Sequence, residues 1–475
     1  MLIAVILLSL IAGCAALLLI RAARFTPPEA EPAPADDIPI DGEKAASHLQ
    51  EMLRCRTVSA PAERDEGEFI RFRTMLPHFY PHVFAACRVE RVESTGMIFR
   101  WKGRSPEDPA VFLSHYDVVP ADEHRWLRPP FGGVLEDGVL WGRGALDMKN
   151  QLCGVLEAVE YLIASGFTPA HDIFFCLSGE EETMGPTAAA IRDTLCASGV
   201  RPAFVIDEGG DVLDGFFPGA DVQTAMVGIG EKGAANLRFV ARSAGGHAST
   251  PTSDNPLPRL CRTMGRIESI RFPWRSTPAL EGLVDTMGRY CPFRTRLLLA
   301  NRKLLRPLYI RWLEKQGGIL AASGRTTFAL TMAKGSGMGN VIPSEAEMLA
   351  NLRLLHGETV DGLVARLQAV ADREQVEIVK GVCAEPRPDS LCTAGWEEIS
   401  SAIRATWPEA VVTPYLMVAT TDSRHWRDIC PNVYRFSAKA VTREEKATVH
   451  GDNERIRVEN TLRAAQFFVR VMRQW

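Results

Sequence analysis

The chain has 475 residues, of which 46% are hydrophobic and 24% are charged, and its formal net charge is −4 at pH 7. This composition is typical of a globular protein with a full core, and it excludes disordered, collagen-like and coiled-coil classes. The nearly balanced charge provides no basic surface for nucleic acid, so we expect no nucleic-acid partner. Eleven cysteines without a Cys-x-x-Cys pair argue against a zinc ribbon and a dithiol redox site.

The first 24 residues differ from the rest of the chain. Residues 2–20 carry no charge, and an apolar run of about 19 residues nearly spans a bilayer core of about 30 Å. We therefore predict that residues 1–24 are an uncleaved single-span membrane anchor, with a signal peptide or a lipoprotein signal at Cys14 as alternatives. Arg21 and Arg24 favour a cytoplasmic location for the remainder of the chain. Residues 25–41 alternate prolines with acidic residues and are predicted to be a semi-rigid linker.

Three apolar runs further along the chain end in side chains that can bind a metal ion. Residues 111–113 lead to His115 and Asp117, residues 173–177 to glutamates at 180–182, and residues 204–206 to Asp207. Continuous apolar runs predict buried strands of a mostly parallel sheet, and helical patterns separate them here. The sequence therefore predicts a doubly wound α/β sheet, in which ligands bind beyond the carboxyl ends of the strands.

Two further residues complete a pattern that no single residue carries. Asp147 precedes a helical stripe, where an isolated Asp is often a helix cap, and His450 precedes a final amphipathic helix. A lone His is more often a core residue than a ligand. Together, however, two imidazoles and three carboxylates can hold two zinc ions if one carboxylate bridges them. Such a site leaves a position for water, as catalytic zinc sites do.

In this order the motifs resemble those of the dizinc metallopeptidases that include carboxypeptidase S, the aminoacylases and the bacterial glutamate carboxypeptidases. The resemblance extends from Gly42 to Trp475 and is closest to the carboxypeptidase S branch, which also contains N-fatty-acyl-amino-acid hydrolases. It implies a mostly parallel α/β catalytic domain interrupted by a smaller α+β lid. It also implies two zinc ions per subunit, for which cobalt or manganese could substitute.

The resemblance implies a role for each residue of the predicted metal site. His115 and Asp207 would bind one zinc ion, Glu182 and His450 would bind the other, and Asp147 would bridge the two.

The same resemblance makes Glu181 the general base, because a base must reach the activated water while staying uncoordinated. Asp117 would orient the imidazole of His115. Three consecutive glutamates stand where the family commonly has an acidic pair. A shift by one residue, to Glu180 as base and Glu181 as ligand, is therefore the alternative.

The pattern changes near residue 226, and the resemblance implies that residues 226–384 form the lid, which often dimerises. The catalytic domain would then consist of residues 42–225 and 385–475. His247 would stabilise the oxyanion across a homodimer, and Asn340 would contact substrate. Arg353 and Arg424 would bind the substrate's carboxylate, for which a bidentate guanidinium is well suited. An ordinary surface position is the alternative for each arginine.

Within the lid, residues 271–318 mix aromatic and aliphatic residues with many arginines. We interpret them as amphipathic core helices, with an acyl-chain entrance, a dimer contact or a membrane contact as alternatives. The predicted function of the chain is zinc-dependent hydrolysis of an amide bond next to an amino acid with a free carboxylate. The substrate would be a small peptide or an N-acyl amino acid. The alternative is a catalytically silent zinc-binding protein anchored in the membrane.

Overall fold

The structure, a computed structural model, describes residues 2–29 and 36–475, so that residues 30–35 of the predicted linker lie outside it. The strands, in chain order, are β1 Arg88–Val92, β2 Gly96–Trp101, β3 Ser105–His115, β4 Val134–Glu136, β5 Val139–Trp141, β6 His171–Ser178, β7 Phe204–Asp214, β8 Gln223–Glu231, β9 Gly233–Arg242, β10 Gly246–His247, β11 Thr327–Lys334, β12 Val341–Ile342, β13 Glu345–Leu354, β14 Glu377–Ala384, β15 Ala410–Met417, β16 Val433–Val441 and β17 Arg455–Arg457.

The helices are α1 Leu2–Arg24, α2 Gly42–Leu53, α3 Glu66–Phe79, α4 Pro81–Ala86, α5 Asn150–Ala164, α6 Thr187–Ala197, α7 Pro256–Glu268, α8 Pro278–Gly288, α9 Phe293–Leu299, α10 Arg306–Gln316, α11 Gly318–Ala322, α12 Val360–Ala371, α13 Trp396–Thr406, α14 Arg443–Lys446 and α15 Val458–Gln474.

An eight-stranded sheet forms the centre of the larger part of the fold, called the body, with the order β1-β2-β6-β3-β7-β16-β8-β15. The pairs β3–β6, β3–β7, β7–β16 and β8–β15 are parallel. Strand β6 is buried over all but its first residue, as its apolar sequence predicts for a strand covered on both faces. The predicted α/β class with a mostly parallel sheet is confirmed.

Helices cover both faces of this sheet. On one face, α5 packs against α2 and α15, and α13 packs beside α15. Gly154 allows α5 and α15 to approach closely, because a Cβ atom at this position would lie 2.7 Å from the Cβ of Ala464. On the other face, Ile191 and Leu195 of α6 join a separate apolar cluster with strand residues of the sheet. The sheet is therefore the middle of three layers.

The lid is a four-stranded antiparallel sheet with the order β11-β13-β9-β14. The chain leaves the central sheet after Glu231 and begins the lid sheet at Gly233. Helices α7 and α12 cover one face and share a separate hydrophobic core with β9 and β13. Strand β11 is an edge strand whose last six residues are exposed. The lid is thus a two-layer unit with one uncovered face.

Helices α8 to α11 belong to the body rather than to the lid sheet. Leu283, Met287, Tyr309 and Leu320 all join the main hydrophobic core, and α8 packs on β15 at the edge of the central sheet. The interpretation of residues 271–318 as amphipathic core helices therefore agrees with the structure. These helices extend the body, whereas the sequence analysis placed them within the lid.

Helix α1 is 23 residues long, and an 18-residue window within it has a mean hydropathy of 3.0 and no buried residue. It is long and apolar enough to cross a membrane, and it could be an anchor or a signal sequence. Its end is attached to the body, because Ala22 and Phe25 are buried. Ile38, on the far side of the undescribed residues, also joins the main core.

Candidate metal centre and active site

Two histidines converge on one carboxylate at the carboxyl edge of the central sheet. His115 is the last residue of β3, and its Nε2 lies 3.0 Å from Oδ1 of Asp147. Nε2 of His450 lies 3.1 Å from Oδ2 of the same side chain. Burial opposes ionisation of Asp147, but its hydrogen bonds with both imidazoles hold its pKa well below the usual range. The sequence analysis predicts a bridging role for Asp147, and in the structure this carboxylate lies between the two histidines.

Three glutamates surround this core. Oε2 of Glu182 lies 3.1 Å from Nε2 of His450, and Oε1 of Glu208 lies 3.4 Å from Nε2 of His115. His115, Asp147 and Glu182 form one group whose ligand atoms lie within 4.8 Å of one another, and His115, Glu181 and Glu208 form a second. The two groups share His115 and together offer the imidazole and carboxylate donors that divalent cations bind.

Glu208 occupies the position beside His115 that the sequence analysis gave to Asp207, and this makes Glu208 the candidate ligand in the structure. Asp207 belongs to neither group of candidate metal ligands among the described residues. Its two carboxylate oxygens accept hydrogen bonds from the backbone N–H groups of Glu208 and Ser423. The cause is a bulge in β7: Asp207 pairs with Arg435, but the next partner of β16 is Gly210. A bulge redirects side chains, and here it directs Glu208 to the site.

Asp117 fixes the segment that carries Glu181 and Glu182. This side chain is fully buried. Its two oxygens accept the backbone N–H groups of Glu181 and Glu182, each at 3.1 Å. Nδ1 of His115 lies 3.0 Å from the backbone oxygen of Asp117 and 3.4 Å from its carboxylate. The contact that orients the imidazole is therefore mainly to the backbone, and the carboxylate positions two glutamates.

Glu454 has no predicted role, yet it connects the two loops that carry Asp147 and His450. It is fully buried, pairs with Arg143 at 2.7 Å, and accepts the backbone N–H groups of Gly144, Leu146 and Asp147. The only sequence feature that could have indicated a role for Glu454 is its position four residues after His450.

The electrostatics of the site distinguish Glu181 from its neighbour Glu180. Burial raises the pKa of Glu181 well above its usual range, and Glu208 and Glu182 contribute by repulsion. Glu180 instead faces away, since it accepts hydrogen bonds from Arg64 at 2.8 Å and from Thr187 at 2.5 Å. A carboxylate with a raised pKa at a polar cluster is suited to accept and release a proton.

The two predicted carboxylate-binding arginines belong to different parts of the fold and contact residues at or near the site. Nη1 of Arg424 lies 3.8 Å from Oε1 of Glu181 and donates to the backbone oxygen of Thr421. Arg353 extends from β13 of the lid and donates to the hydroxyl of Thr420 at 3.3 Å. Both side chains are thus held near the glutamates.

His247 and Asn340 lie together on the lid, away from the metal groups. The backbone N–H of Ala248 donates to the backbone oxygen of Asn340 at 3.0 Å, and both predicted residues are exposed. Neither belongs to the candidate metal groups or lines the cavity beside them, within the part of the chain that the structure describes.

A cavity of about 370 Å³ opens beside the metal groups. Its polar lining includes Asp147, Glu181, Glu182, Glu208 and His450. An apolar part of its lining, called the apolar wall, consists of Ile319, Tyr415, Met417, Val418, Ala419, Val441 and Val449. Asp211, paired with Lys439 and Lys446, also lines the cavity. The cavity can therefore accept a molecule with a polar reacting group and an apolar extension.

Residues 111–474 match the model of Peptidase family M20/M25/M40. The chain belongs to this family. It is 34% identical over 422 residues to N-fatty-acyl-amino acid synthase/hydrolase PM20D1 of Bos taurus, which covers 86% of this chain and 84% of that protein. It is 30% identical over 490 residues to probable carboxypeptidase S-like 2 of Dictyostelium discoideum, covering 99% and 94%.

Among solved structures, the fold of this M20 chain is similar to that of the M20 family metallo-carboxypeptidase Sso-CP2 from Sulfolobus solfataricus. The TM-score is 0.68 at 18% identity, with 90% of this chain and 98% of that chain covered. The predicted family is confirmed, and the chain is a hydrolytic enzyme of a metal-dependent family.

The residues present fit divalent cations. Burial raises the pKa of Glu182 and of Glu208, and in each case Asp147 adds to the shift by repulsion. Cations would relieve this repulsion, and imidazole with carboxylate is a donor set suited to zinc.

Proposed function

We propose that this M20 enzyme is a zinc-dependent amidohydrolase that cleaves N-fatty-acyl amino acids. The observation that carries the proposal is the cavity, whose lining combines a His–carboxylate cluster with an apolar wall. Asp147 would bridge two zinc ions, with His115 and Glu208 completing one set of ligands and Glu182 and His450 the other. The bound ions would polarise a water molecule and the carbonyl of the substrate.

The protein's own side chains would carry the proton and bind the substrate's charge. Glu181 takes a proton from the attacking water and delivers it to the leaving nitrogen, so that the amide bond yields a fatty acid and an amino acid. Arg424 and Arg353 hold the free carboxylate, and His247 donates to the oxyanion once the lid is in place. Asn340, beside His247, contacts the substrate.

The substrate class is supported by the apolar wall and by the similarity to the bovine hydrolase. A second candidate is a carboxypeptidase acting on small peptides, which the similarity to the Dictyostelium protein over 99% of the chain favours. Both reactions would use the same metal ligands and the same base. They would differ in the part of the substrate that packs against the apolar wall, which is an acyl chain in one case and a peptide residue in the other.

A substrate series on the zinc-loaded full-length protein in detergent tests these alternatives. N-acyl amino acids of increasing chain length are compared with dipeptides, and release of the amino acid is measured. Each methylene of the acyl chain that is buried in the cavity stabilises the bound transition state by about 0.8 kcal/mol. We therefore expect kcat/KM to rise about fourfold per methylene until the acyl chain covers the whole apolar wall. Turnover of dipeptides without a dependence on acyl length would favour the carboxypeptidase. Activity on neither class, with metal bound, would reject both, and chelator-treated protein is the control.

We also propose that α1 anchors the enzyme in a membrane and that the lid forms a homodimer. The first proposal rests on the length and hydropathy of α1. The second rests on the exposed apolar side chains of the lid at β11 and near it, which include Leu330 and Met332. An edge strand with such side chains is suited to pair with a second copy. Resistance of membrane association to alkaline carbonate would test the anchor, and light scattering in detergent would test the dimer.

A further inference from the structure

The end of α1 is attached to the body at a defined place. Asn301 donates from Nδ2 to the backbone oxygen of Leu18 at 3.0 Å, and Arg296 donates to that of Phe25 at 3.3 Å. The guanidinium of Arg289 lies over the ring of Phe25, 4.8 Å from its centroid. Leu18 lies within the apolar segment itself. The residues after α8 are thus fixed beside the point at which α1 leaves the body.

The same part of the body is strongly basic. Residues 286–313 contain seven Lys and Arg residues and no Asp or Glu. Arg289 and Arg302 are paired with carboxylates of α8. Arg294, Lys303, Arg306 and Arg311 are exposed, and none forms an ion pair with any carboxylate among residues 2–29 and 36–475. Four cationic side chains therefore face solvent without compensation in this region.

Apolar side chains are exposed among these cations. Phe293 is 42% exposed, Leu304 60% and Leu308 58%. They lie on α9, on α10 and on the turn between them, where the neighbouring residues of the same helices pack into the main core. Mixed basic and large apolar side chains are the composition of protein surfaces that lie in the interface of a bilayer.

We propose that this surface, defined by Phe293, Arg294, Lys303, Leu304, Arg306, Leu308 and Arg311, docks on the anionic lipid surface of the membrane that α1 enters. The proposal rests on the anchor proposed above and extends it from a tether to a fixed orientation. Because Asn301 contacts Leu18, which is six residues before the end of α1, this surface lies at the level of the helix end. The apolar side chains would enter the interface, and the cations would contact lipid phosphates.

Hydrogen–deuterium exchange of the full-length protein in nanodiscs tests the docking. Exchange across residues 293–311 is compared between phosphatidylcholine discs and discs that also contain phosphatidylglycerol. We expect exchange to be about tenfold slower in the anionic discs, and the protection to disappear in high salt, which screens surface charge. Equal exchange in the two lipids would overturn the proposal.

Two matched variants make the experiment specific. R294E/K303E/R311E should abolish the lipid-dependent protection, because each cation near an anionic surface contributes up to about fivefold in affinity. The control variant R88E/K102E/R104E reverses three exposed charges near β1 and β2. These strands form the edge of the central sheet opposite to β15, on which α8 packs, so the control variant should keep the lipid-dependent protection. Loss of protection in both variants would indicate an effect of net charge alone and would overturn the proposal.

The result is separable from the proposals on which it rests. Resistance to carbonate extraction reports the insertion of α1, and amide hydrolysis reports the metal centre. Inserted, active protein without lipid-dependent protection would reject only the docking. Protection that depends on protein concentration in detergent, without lipid, would assign the surface to a second copy of the chain and would also reject it.

Discussion

The catalytic body and the lid position their functional side chains in different ways. In the body, His115 at the end of β3 and Asp207 within β7 are each 2% exposed, and backbone N–H groups donate to Asp117 and Asp207. In the lid, His247 lies exposed in a two-residue strand that pairs with β12, itself two residues long. The candidate metal ligands of the body are thus held by buried strands together with the loops that carry Asp147 and His450. An exposed residue on a short strand needs a second surface before it can act, and substitutions in each region can test this difference.

The largest effect is expected within the body. Glu181→Gln keeps the shape of the side chain but removes its ability to accept a proton, so kcat should fall about 10³-fold. Bound zinc, measured by plasma mass spectrometry, should be unchanged. Glu180→Gln is the matched control, because Glu180 is directed towards Arg64 and Thr187 and should leave turnover nearly intact. A reversed result would support the alternative register of the glutamate motif.

A second pair of variants tests the bulge in β7. Glu208→Ala should lower the zinc content by about one ion per chain and reduce activity accordingly, because a ligand is lost. Asp207→Asn keeps the side chain's shape between Glu208 and Ser423 and should weaken zinc binding by at most about 100-fold. Metal content after dialysis against graded chelator measures both. Loss of zinc only in the Asp207 variant would make Asp207 the ligand, as its position in the motif predicted.

The third prediction concerns the lid. His247→Ala should lower kcat about 100-fold through loss of an oxyanion donor, with zinc content unchanged. If a second copy supplies His247, co-expression of His247→Ala with Glu181→Gln should restore about a quarter of wild-type activity. The reason is that half of the dimers are mixed and each mixed dimer has one complete site. Activity no higher than the mean of the two variants would place His247 in the site of its own chain.

The smallest effect is expected at the junction of the two regions. Lys232 donates to the backbone oxygens of Ala322 and Arg325 at 3.1 and 2.8 Å, and burial lowers its pKa to about 7. Between pH 7 and 10.5 the unfolded chain then binds more protons here than the folded chain, so the free energy of unfolding rises with pH in this window. Lys232→Met should reduce this slope by up to about 1.4 kcal/mol per pH unit, measured by denaturant unfolding. Parallel curves for the two proteins would contradict the prediction.

The sequence predicted the layers of the body because its buried strands are continuous apolar runs, as in β6, and its helices are clearly periodic, as in α15. It also predicted the convergence of His115, Asp147 and His450, which lie far apart in the chain. It could not predict that Glu208 rather than Asp207 lies beside His115, because two adjacent carboxylates are equivalent in the sequence until a bulge determines which one is directed to the site. The packing of α8 to α11 on the body could not be predicted either, because the apolar face of an amphipathic helix does not specify the surface against which it packs.

Ile319 connects the surface beside α1 to the chemistry. It lines the cavity of the metal centre, and it belongs to α11, which follows α10 after a single residue. With α10 on the bilayer, a long-chain amphiphile could pass from the lipid to the cavity without first dissolving in water. The rate would then depend on the mole fraction of substrate in the membrane rather than on its bulk concentration, and inert lipid would slow the enzyme by surface dilution.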